Sequence, residues 1–458
     1  MWRALWGSLW PSVAGAARAK LKELRAGDSL FFIFLGGQLL TSFFRIYLIR
    51  LLTTALSVGE YGQWRSAEVL SAMFLPLVTL SLPAAMGRFY FERAGDEEGR
   101  AALIVTVWRW MLGASALMML GVYLAGGRLG LTQSEVLFLL CVTPASFLNR
   151  FFEWLNRARH NGRLYVLNQL VEVVGFSLLL WGLLSLEGAG GPSVGLWWVT
   201  VCFAVCLWGV VLANTLFYLR KGVLRPALSS LPWAEMSSLL RYSLPLSLTF
   251  FLAWLLTSFD IYTLRALGDA QQLGYYAFAV TFSGLVSQIT QASLTDWDQF
   301  FYEQKSRAAP DANLLIARRV RLYLGCHLLG ICAIKLLMPF GYLLFNAASF
   351  QEGQGLVGQL LLGNYFWLLG NLFAVGVGYV KRTWLLWVIF GVAGLFSVVC
   401  HSTFTAARGA LVGSYVTLGA FLVFALTSYV VGRRFYRFEG ELGLLGLSMV
   451  AGGVALLW

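Results

Sequence analysis

Charge is scarce in this sequence. Only 12% of the 458 residues are Asp, Glu, Lys or Arg, against about 25% in a soluble domain, so an ordinary water-soluble globule is excluded. Acidic residues are the scarcer kind, 22 against 34 basic ones, which leaves a formal net charge of +12. Cysteine and histidine are few and scattered. Cys141, Cys202, Cys206, Cys326, Cys332 and Cys400 all fall in apolar segments without a Cys-x-x-Cys spacing, and His160, His327 and His401 form no ligand pattern. That usage fits buried apolar packing rather than a metal site or a disulfide framework. No nucleotide-binding loop appears, which argues against a primary pump.

What is present is apolar length. Hydrophobic residues make up 59% of the chain and mean hydropathy is +0.71. Runs of about 20 apolar residues, the length needed to cross a bilayer, recur at 29–53, 62–84, 101–125, 134–156, 164–186 and 194–219. After a polar, Pro-containing stretch they resume at 240–265, 273–297, 317–345, 357–380, 383–403 and 408–431. The fold class is therefore an all-α integral membrane protein with about twelve transmembrane helices. The apolar tail at 441–458 is a thirteenth span, a half-inserted segment or a packed cap. At the other end Trp2, Trp6 and Trp10 repeat every four residues and Arg18, Lys20, Lys22 and Arg25 follow. This pattern suits an interfacial helix better than a signal peptide.

Alternate loops carry the basic residues. Arg88, Arg93 and Arg100 form one group, Arg157, Arg159 and Arg163 the next, then Arg220, Lys221 and Arg225. Lys305, Arg307, Arg318 and Arg319 follow, then Lys381 and Arg382, then Arg433, Arg434 and Arg437. The intervening loops hold little beyond Arg128, Arg265 and Arg408. By the positive-inside rule the N-terminus and the basic loops are cytoplasmic. The net charge is then a topology signal and gives no reason to expect nucleic acid as a partner.

The two halves resemble each other. Arg109-Trp110-Met111-Leu112-Gly113 is echoed 212 positions later by Arg321-Leu322-Tyr323-Leu324-Gly325, and Phe89-Tyr90-Phe91-Glu92 is echoed by Phe300-Phe301-Tyr302-Glu303. Tyr61 is similarly answered by Tyr275. Repeats of six spans share one orientation and are related by an axis along the membrane normal, with the transport path between them. The expected organisation is an amphipathic segment 1–28, an N-lobe 29–219, a cytoplasmic linker 220–239, a C-lobe 240–437 and the tail 438–458.

One stretch carries a family resemblance. Arg50-Leu51-Leu52, a turn ending in Glu60-Tyr61-Gly62, an apolar helix, then Leu82-Pro83-Ala84-Ala85 and Arg88 resemble the first hairpin of Wzx-type polysaccharide and O-antigen flippases. That family belongs to the multidrug/oligosaccharidyl-lipid/polysaccharide (MOP) exporter superfamily. Asp260 followed by Leu273-Gly274-x-Tyr276 fits the second-half pattern, although Ile261 stands where a basic residue is common. The resemblance extends over about residues 29–435. It implies two six-helix lobes of the MATE and MurJ kind in a bacterial inner membrane. It also implies translocation of undecaprenyl-pyrophosphate-linked oligosaccharide for surface polysaccharide, driven by a proton or sodium gradient and without an enzymatic step or bound cofactor. Membrane lipids, a polymerase and other assembly proteins are the implied partners. The rival readings are a drug or cation antiporter of the same superfamily and a membrane-embedded polymerase or glycosyltransferase.

An ionisable group at the centre of a span costs about 2.5–3.5 kcal/mol on insertion scales, so each is a functional candidate. Arg45, Arg50 and Lys335 lie in outer halves of spans and form the expected cationic cavity for a pyrophosphate. Arginine suits that task because its fork holds phosphate oxygens bidentately. Glu172 and Asp260 are candidates for ion coupling or for counter-ions to the cavity, and the sequence leaves both roles open. Arg109 and Arg321 read as snorkelling within about two turns of the cytoplasmic ends. Glu153 with Arg150 and Arg157 reads as an ion-pair face on one helix, and Asp296 and Asp298 as caps near the inner surface. Trp254 and Trp367 read as packing residues that also have the right chemistry to line a sugar path.

The loop alternation makes a direct prediction. Reporter fusions after Gly59, Gly190 and Asp269 should report the external side and a fusion after Arg434 the cytoplasm; a cytoplasmic signal at Gly190 would overturn the two-lobe arrangement.

Overall fold

A computed structural model of the chain describes residues 29–438, except 94, 160, 189, 192, 225–230, 308–310, 346, 381 and 383, together with 452–453. The expected interfacial helix and nearly all of the 441–458 tail lie outside the described residues. The N-lobe contains α1 (Ser29–Ala55), α2 (Val58–Thr79), α3 (Leu82–Glu92), α4 (Glu97–Ala125), α5 (Gln133–Cys141), α6 (Thr143–Ala158), α7 (Gly162–Gly188) and α8 (Leu196–Arg220). The C-lobe contains α9 (Trp233–Ala266), α10 (Ala270–Ser283), α11 (Ser287–Arg307), α12 (Ala312–Leu344), α13 (Gln354–Tyr379), α14 (Trp384–Cys400) and α15 (Ala410–Gly432).

Among the described residues nine helical segments are long and apolar enough to cross a membrane, or ten if the bent α2–α3 pair is one span. The two further expected spans coincide with α1 and with the α10–α11 pair. The expected span boundaries shift in two places. The helix α9 begins at Trp233 rather than near 240, so the linker between the lobes runs only from Lys221 to Pro232. The second span is not one straight helix: α2 and α3 meet at 46°. Leu80 and Ser81 at the junction adopt left-handed backbone (φ 50° and 51°), a conformation that costs a non-glycine residue about 1–2 kcal/mol. Pro83 explains the site of the break. It lacks the N–H that would bond Thr79 O in a continuous helix, its ring would crowd that carbonyl, and it is well placed in the first turn of a new helix. The break orphans carbonyls at the end of α2, and one of them, Pro76 O, accepts a hydrogen bond from Ser247 of α9.

Within the N-lobe α1 packs on α7, and α6 packs against α3, α4 and α8. Within the C-lobe α13 packs on α15, and α14 bridges α9 and α15. The lobes meet where α2 lies between α9 and α10. Trp254 of α9 donates its indole N–H to Val69 O of α2 at 2.9 Å, and Thr53 of α1 donates to Phe345 O at the end of α12. Tyr61 of α2 packs edge-on to Phe278 and Phe350 and hydrogen-bonds Thr281 of α10.

The repeat explains this junction. Ser57 caps α2 and Asp269 caps α10 with their side chains, and these two residues are 212 positions apart. Gly62 and Gly274 are also 212 apart, and they touch: a Cβ on Gly62 would stand 2.7 Å from Gly274 N, and one on Gly274 would stand 2.0 Å from Val58 O. A residue that touches its own repeat mate lies on the axis that relates the repeats, so α2 and α10 cross on that axis. Close helix contact through small residues is the main source of helix association in lipid, where apolar burial gives little.

Gly62→Ala should therefore force the lobes apart and destabilise the protein by about 1–3 kcal/mol, the usual cost of overpacking. Gly209→Ala, where an added Cβ meets nothing within 4 Å, should leave the thermal midpoint in detergent unchanged or slightly raised. Equal midpoints for both variants would refute the axial contact.

Candidate functional site

Helix α1 is amphipathic in an unusual sense. Positions 41, 45, 49 and 52 share one face, and Thr41, Ile49 and Leu52 are buried on it, yet Arg45 is exposed. Arg45 is thus the accessible residue on an otherwise buried stripe of α1. Glu172 of α7 is near it, close enough for the charges of Arg45, Arg150 and Glu153 to act on its carboxylate. Asn149 donates to Glu172 Oε2 at 3.1 Å. Arg150 pairs with Glu153 at 2.8 Å, and Arg157 stands 3.9 Å from the same carboxylate oxygen. The expected intrahelical ion-pair face is thus present, and it forms the edge of a group of three arginines and two glutamates. The Arg150 side chain is 54% exposed while that of Glu153 is 9%, so the accessible charge of the group is mainly basic.

The other expected cations lie elsewhere. Arg50 is five residues beyond Arg45, a rotation of about 140° on an α-helix. That puts it on the outward face with the exposed Leu40, Phe43 and Tyr47, so α1 does not bring its two arginines together. Lys335 is half-buried on α12, and among the described residues no hydrogen bond or ion pair joins it to the Arg45 group. The side chains of Asp296 and Asp298 lie outside the described ones. The helix α4 starts at Glu97, four residues before the expected span, and those first residues include Glu97, Glu98 and Arg100; Arg109 is twelve residues from the helix start. Trp254 bridges the lobes, and Trp367 stacks among Phe390, Phe421 and Phe424, which is core packing.

Asp260 occupies a second polar centre, inside the C-lobe. It is 4% exposed. Its Oδ2 accepts from Tyr276 Oη at 2.6 Å and from Thr417 Oγ1 at 3.1 Å, and its Oδ1 accepts the Ile261 N–H at 2.7 Å. Thr417 also approaches His401 Nε2 at 3.4 Å, while His401 Nδ1 meets Thr405 at 2.9 Å. His401 and Thr405 bound a π-helical turn at the end of α14, a local unwinding often found at functional sites. Helices α9, α10, α14 and α15 thus converge on one carboxylate with no basic side chain within ion-pair distance among the described residues. A buried charge in that position is expensive unless a proton or cation neutralises it.

A third feature joins the lobes. Arg265, at the end of α9, holds Glu135 of α5 through Nε and Nη2 with two bonds of 2.5 and 2.7 Å, and the same Nη2 also reaches Gly130 O at 2.9 Å. Ser66 of α2 donates to the same carboxylate at 2.8 Å, and Glu135 also caps its own helix with Thr132. With Tyr61, Thr53 and the glycine contact, this closes the end of the bundle opposite the basic loops. The sequence hides this pair, because Thr132-x-x-Glu135 reads as a capping box and Arg265 as a loop residue. His401 was equally hidden, since nothing in the one-dimensional pattern marks a π-helical turn. Arg65 and Glu68, an ion pair on α2, also escape the sequence reading.

No protein-family model matches the chain, and no curated protein matches it. Solved structures do. An inward-facing MATE-family multidrug resistance transporter of the MOP superfamily superposes with a TM-score of 0.60 at 13% identity, covering 88% of this chain and 95% of that one. The lipid II flippase MurJ in an inward closed conformation gives 0.62 at 10% identity, covering 93% and 97%. This chain has the fold of MOP-superfamily transporters. A Pyrococcus furiosus member, described as having a binding pocket of reversed polarity that suggests a different function, gives 0.54 at 14% identity over 88% and 94%. Identities this low show the fold alone.

The Glu135–Arg265 pair makes a prediction about the closed end. Removing either partner leaves the other charge unpaired, which costs about 3–5 kcal/mol for a buried pair. Glu135→Gln and Arg265→Met should each raise the reactivity of a cysteine placed at Ser66 toward a membrane-impermeant thiol reagent. The double variant should unfold at a higher temperature than either single one. Purely additive shifts would show that the pair does not link the lobes.

Proposed function

We propose that the protein moves an undecaprenyl-pyrophosphate-linked oligosaccharide across the bacterial inner membrane for surface polysaccharide assembly, by alternating access of the two lobes and without covalent chemistry. The observation that supports this best is Arg45, a guanidinium exposed on the packed face of α1 beside the Arg150–Glu153–Glu172 group. Carrying a pyrophosphate through hydrocarbon demands compensating positive charge, and a bidentate donor supplies charge and orientation together. Glu172 acts as counter-ion when the site is empty, which keeps Arg45 from being stranded unpaired at depth. A drug or cation antiporter needs an acidic site instead. A polymerase or glycosyltransferase needs catalytic groups on long outer loops, whereas α1 and α2 are joined by only two residues.

Asp260 is the coupling site in this reading. Binding a proton or sodium ion there neutralises the carboxylate and changes which hydroxyls of Tyr276 and Thr417 it holds, and so alters how α9, α10, α14 and α15 pack. An ion gradient thereby biases one arrangement of the lobes over the other.

Arg45→Ala should lower export of the lipid-linked glycan by about tenfold or more, equivalent to about 1.4 kcal/mol, with membrane insertion unchanged. Arg45→Lys should recover part of the loss. Arg45→Ala combined with Glu172→Gln should be milder than the product of the singles, and Asp260→Asn should remove gradient dependence while leaving substrate binding. The measurement is the lipid-linked unit accumulating in the inner leaflet of a strain lacking the chromosomal copy. Full export by Arg45→Ala, or altered drug resistance with normal surface glycan, would refute the proposal.

A further inference from the structure

The polar centre around Asp260 holds more hydrogen-bond contacts than an ionised carboxylate can fill. Asp260 Oδ2, Tyr276 Oη and Thr417 Oγ1 form a triangle with sides of 2.6, 2.8 and 3.1 Å. Three such contacts need three protons, one on each side. Tyrosine and threonine bring one each. With Asp260 ionised, one side of the triangle has no proton, and two oxygens face each other through lone pairs. With a proton on Oδ2, each oxygen donates once and accepts once and the ring closes. Asp260 Oδ1 already accepts the Ile261 N–H at 2.7 Å, so the added proton falls to Oδ2. The spacing suits a metal cation less well. Oxygens that share a calcium-sized ion stand about 2.3–2.6 Å from it, hence roughly 3.3 Å or more apart at octahedral angles. Sodium is close to calcium in size, and the three oxygens here are nearer to one another than that.

A line of groups leads away from the triangle. Thr417 Oγ1 stands 3.4 Å from His401 Nε2, and His401 Nδ1 stands 2.9 Å from Thr405 Oγ1. An imidazole can accept a proton at one nitrogen and release one from the other. Asp260, Tyr276, Thr417, His401 and Thr405 are each at most 4% exposed. His401 and Thr405 bound the π-helical turn, and the helical run ends at Arg408, opposite the basic loops. The line therefore runs inward from that end, within the C-lobe and apart from the Arg45 group. The other ionisable groups toward Asp260 are Tyr276 from α10 and Arg65 from α2. The carboxylate's charge reaches Arg65, whose guanidinium is paired with Glu68; α15 presents Thr417.

We propose that the ion held at Asp260 is a proton, carried on Oδ2 and delivered through Thr405, His401 and Thr417. This rests on the reading of Asp260 as the coupling site and adds the identity of the ion and its route. In one passage Thr405 gives its hydroxyl proton to His401 Nδ1 and regains one from water. His401 Nε2 gives its proton to Thr417 Oγ1, and Thr417 gives its own to Asp260 Oδ2. One proton enters and one arrives. The imidazole is left neutral with its proton on Nδ1 instead of Nε2, and passage in reverse restores it. The route does not cross the seam between the lobes, so a proton can reach the carboxylate while the latch of Glu135 and Arg265 keeps that end of the bundle shut.

Infrared difference spectroscopy of the purified full-length protein in lipid nanodiscs tests this without any glycan. In sodium-free buffer the C=O band of a protonated carboxyl should appear as the pH is lowered, and it should be missing in Asp260→Asn. After a downward pH jump the band should form at least tenfold more slowly in His401→Gln and in Thr417→Val. It should form at the wild-type rate in Thr417→Ser, which keeps the hydroxyl. The final band in His401→Gln should equal that of the wild type, which separates a relay from a general disturbance of the site. The proposal is overturned if the wild type has no band that depends on Asp260, if sodium chloride erases the band where N-methylglucamine chloride does not, or if His401→Gln forms it at the wild-type rate. Gradient-dependent export that survives Asp260→Asn would instead overturn the coupling role, even with the band behaving as described.

Discussion

A close approach of backbone against backbone, at Gly62 and Gly274, sets the terms for everything at its end of the bundle. With no side chain between them, α2 and α10 cross near enough for Tyr61 to reach Thr281 and for Thr53 to reach Phe345. The same approach brings the end of α9 within reach of α5, where Arg265 and Glu135 complete the closure. In water two lobes of this size could be held by apolar burial. In lipid that term is small, and steric fit with a few polar bonds must do the holding. The junction is rich in hydrogen bonds, and one cluster of buried aromatic and aliphatic side chains runs through it, from Trp64 and Phe138 of the N-lobe to Phe278 and Phe350 of the C-lobe.

Three carboxylates inside the bundle show three solutions to the same electrostatic problem. Glu135 is fully matched: an arginine, a serine and its own helix start surround it. Glu172 is matched loosely, by one amide and by arginines that remain accessible. Asp260 has hydroxyls and one backbone N–H but no basic side chain in contact among the described residues. The order runs from a group whose environment is complete to one without an ion-pair partner among the described residues, and the roles proposed above follow it: latch, counter-ion, coupling site.

Much of this was legible in one dimension. Span length and loop charge indicated the polytopic class, and the 212-residue offset between Arg109 and Arg321 indicated the repeat that the helix starts at Val58 and Ala270 obey. Arg45, Glu172 and Asp260 stood out because charge is costly in hydrocarbon. What the sequence could not convey was angular position and pairing across the lobes. Arg45 and Arg50 are equivalent in a hydropathy profile and about 140° apart on the helix. Glu135 and Arg265 are 130 positions apart with no local sign of their partnership. Pro83 did announce the break after α2, but its message was masked by the apolar run on both sides.

Three of the bonds that tie the lobes have something in common. Trp254, Ser247 and Thr53 each donate to a main-chain carbonyl, of Val69, Pro76 and Phe345. Carbonyls belong to the backbone, so the accepting positions are free to drift to other helix-compatible residues without losing the bond, while the donating positions are not. Substitution should be tolerated on one side of the seam and resisted on the other, and a comparison of related chains would find the lobes held together by residues that vary in only one partner.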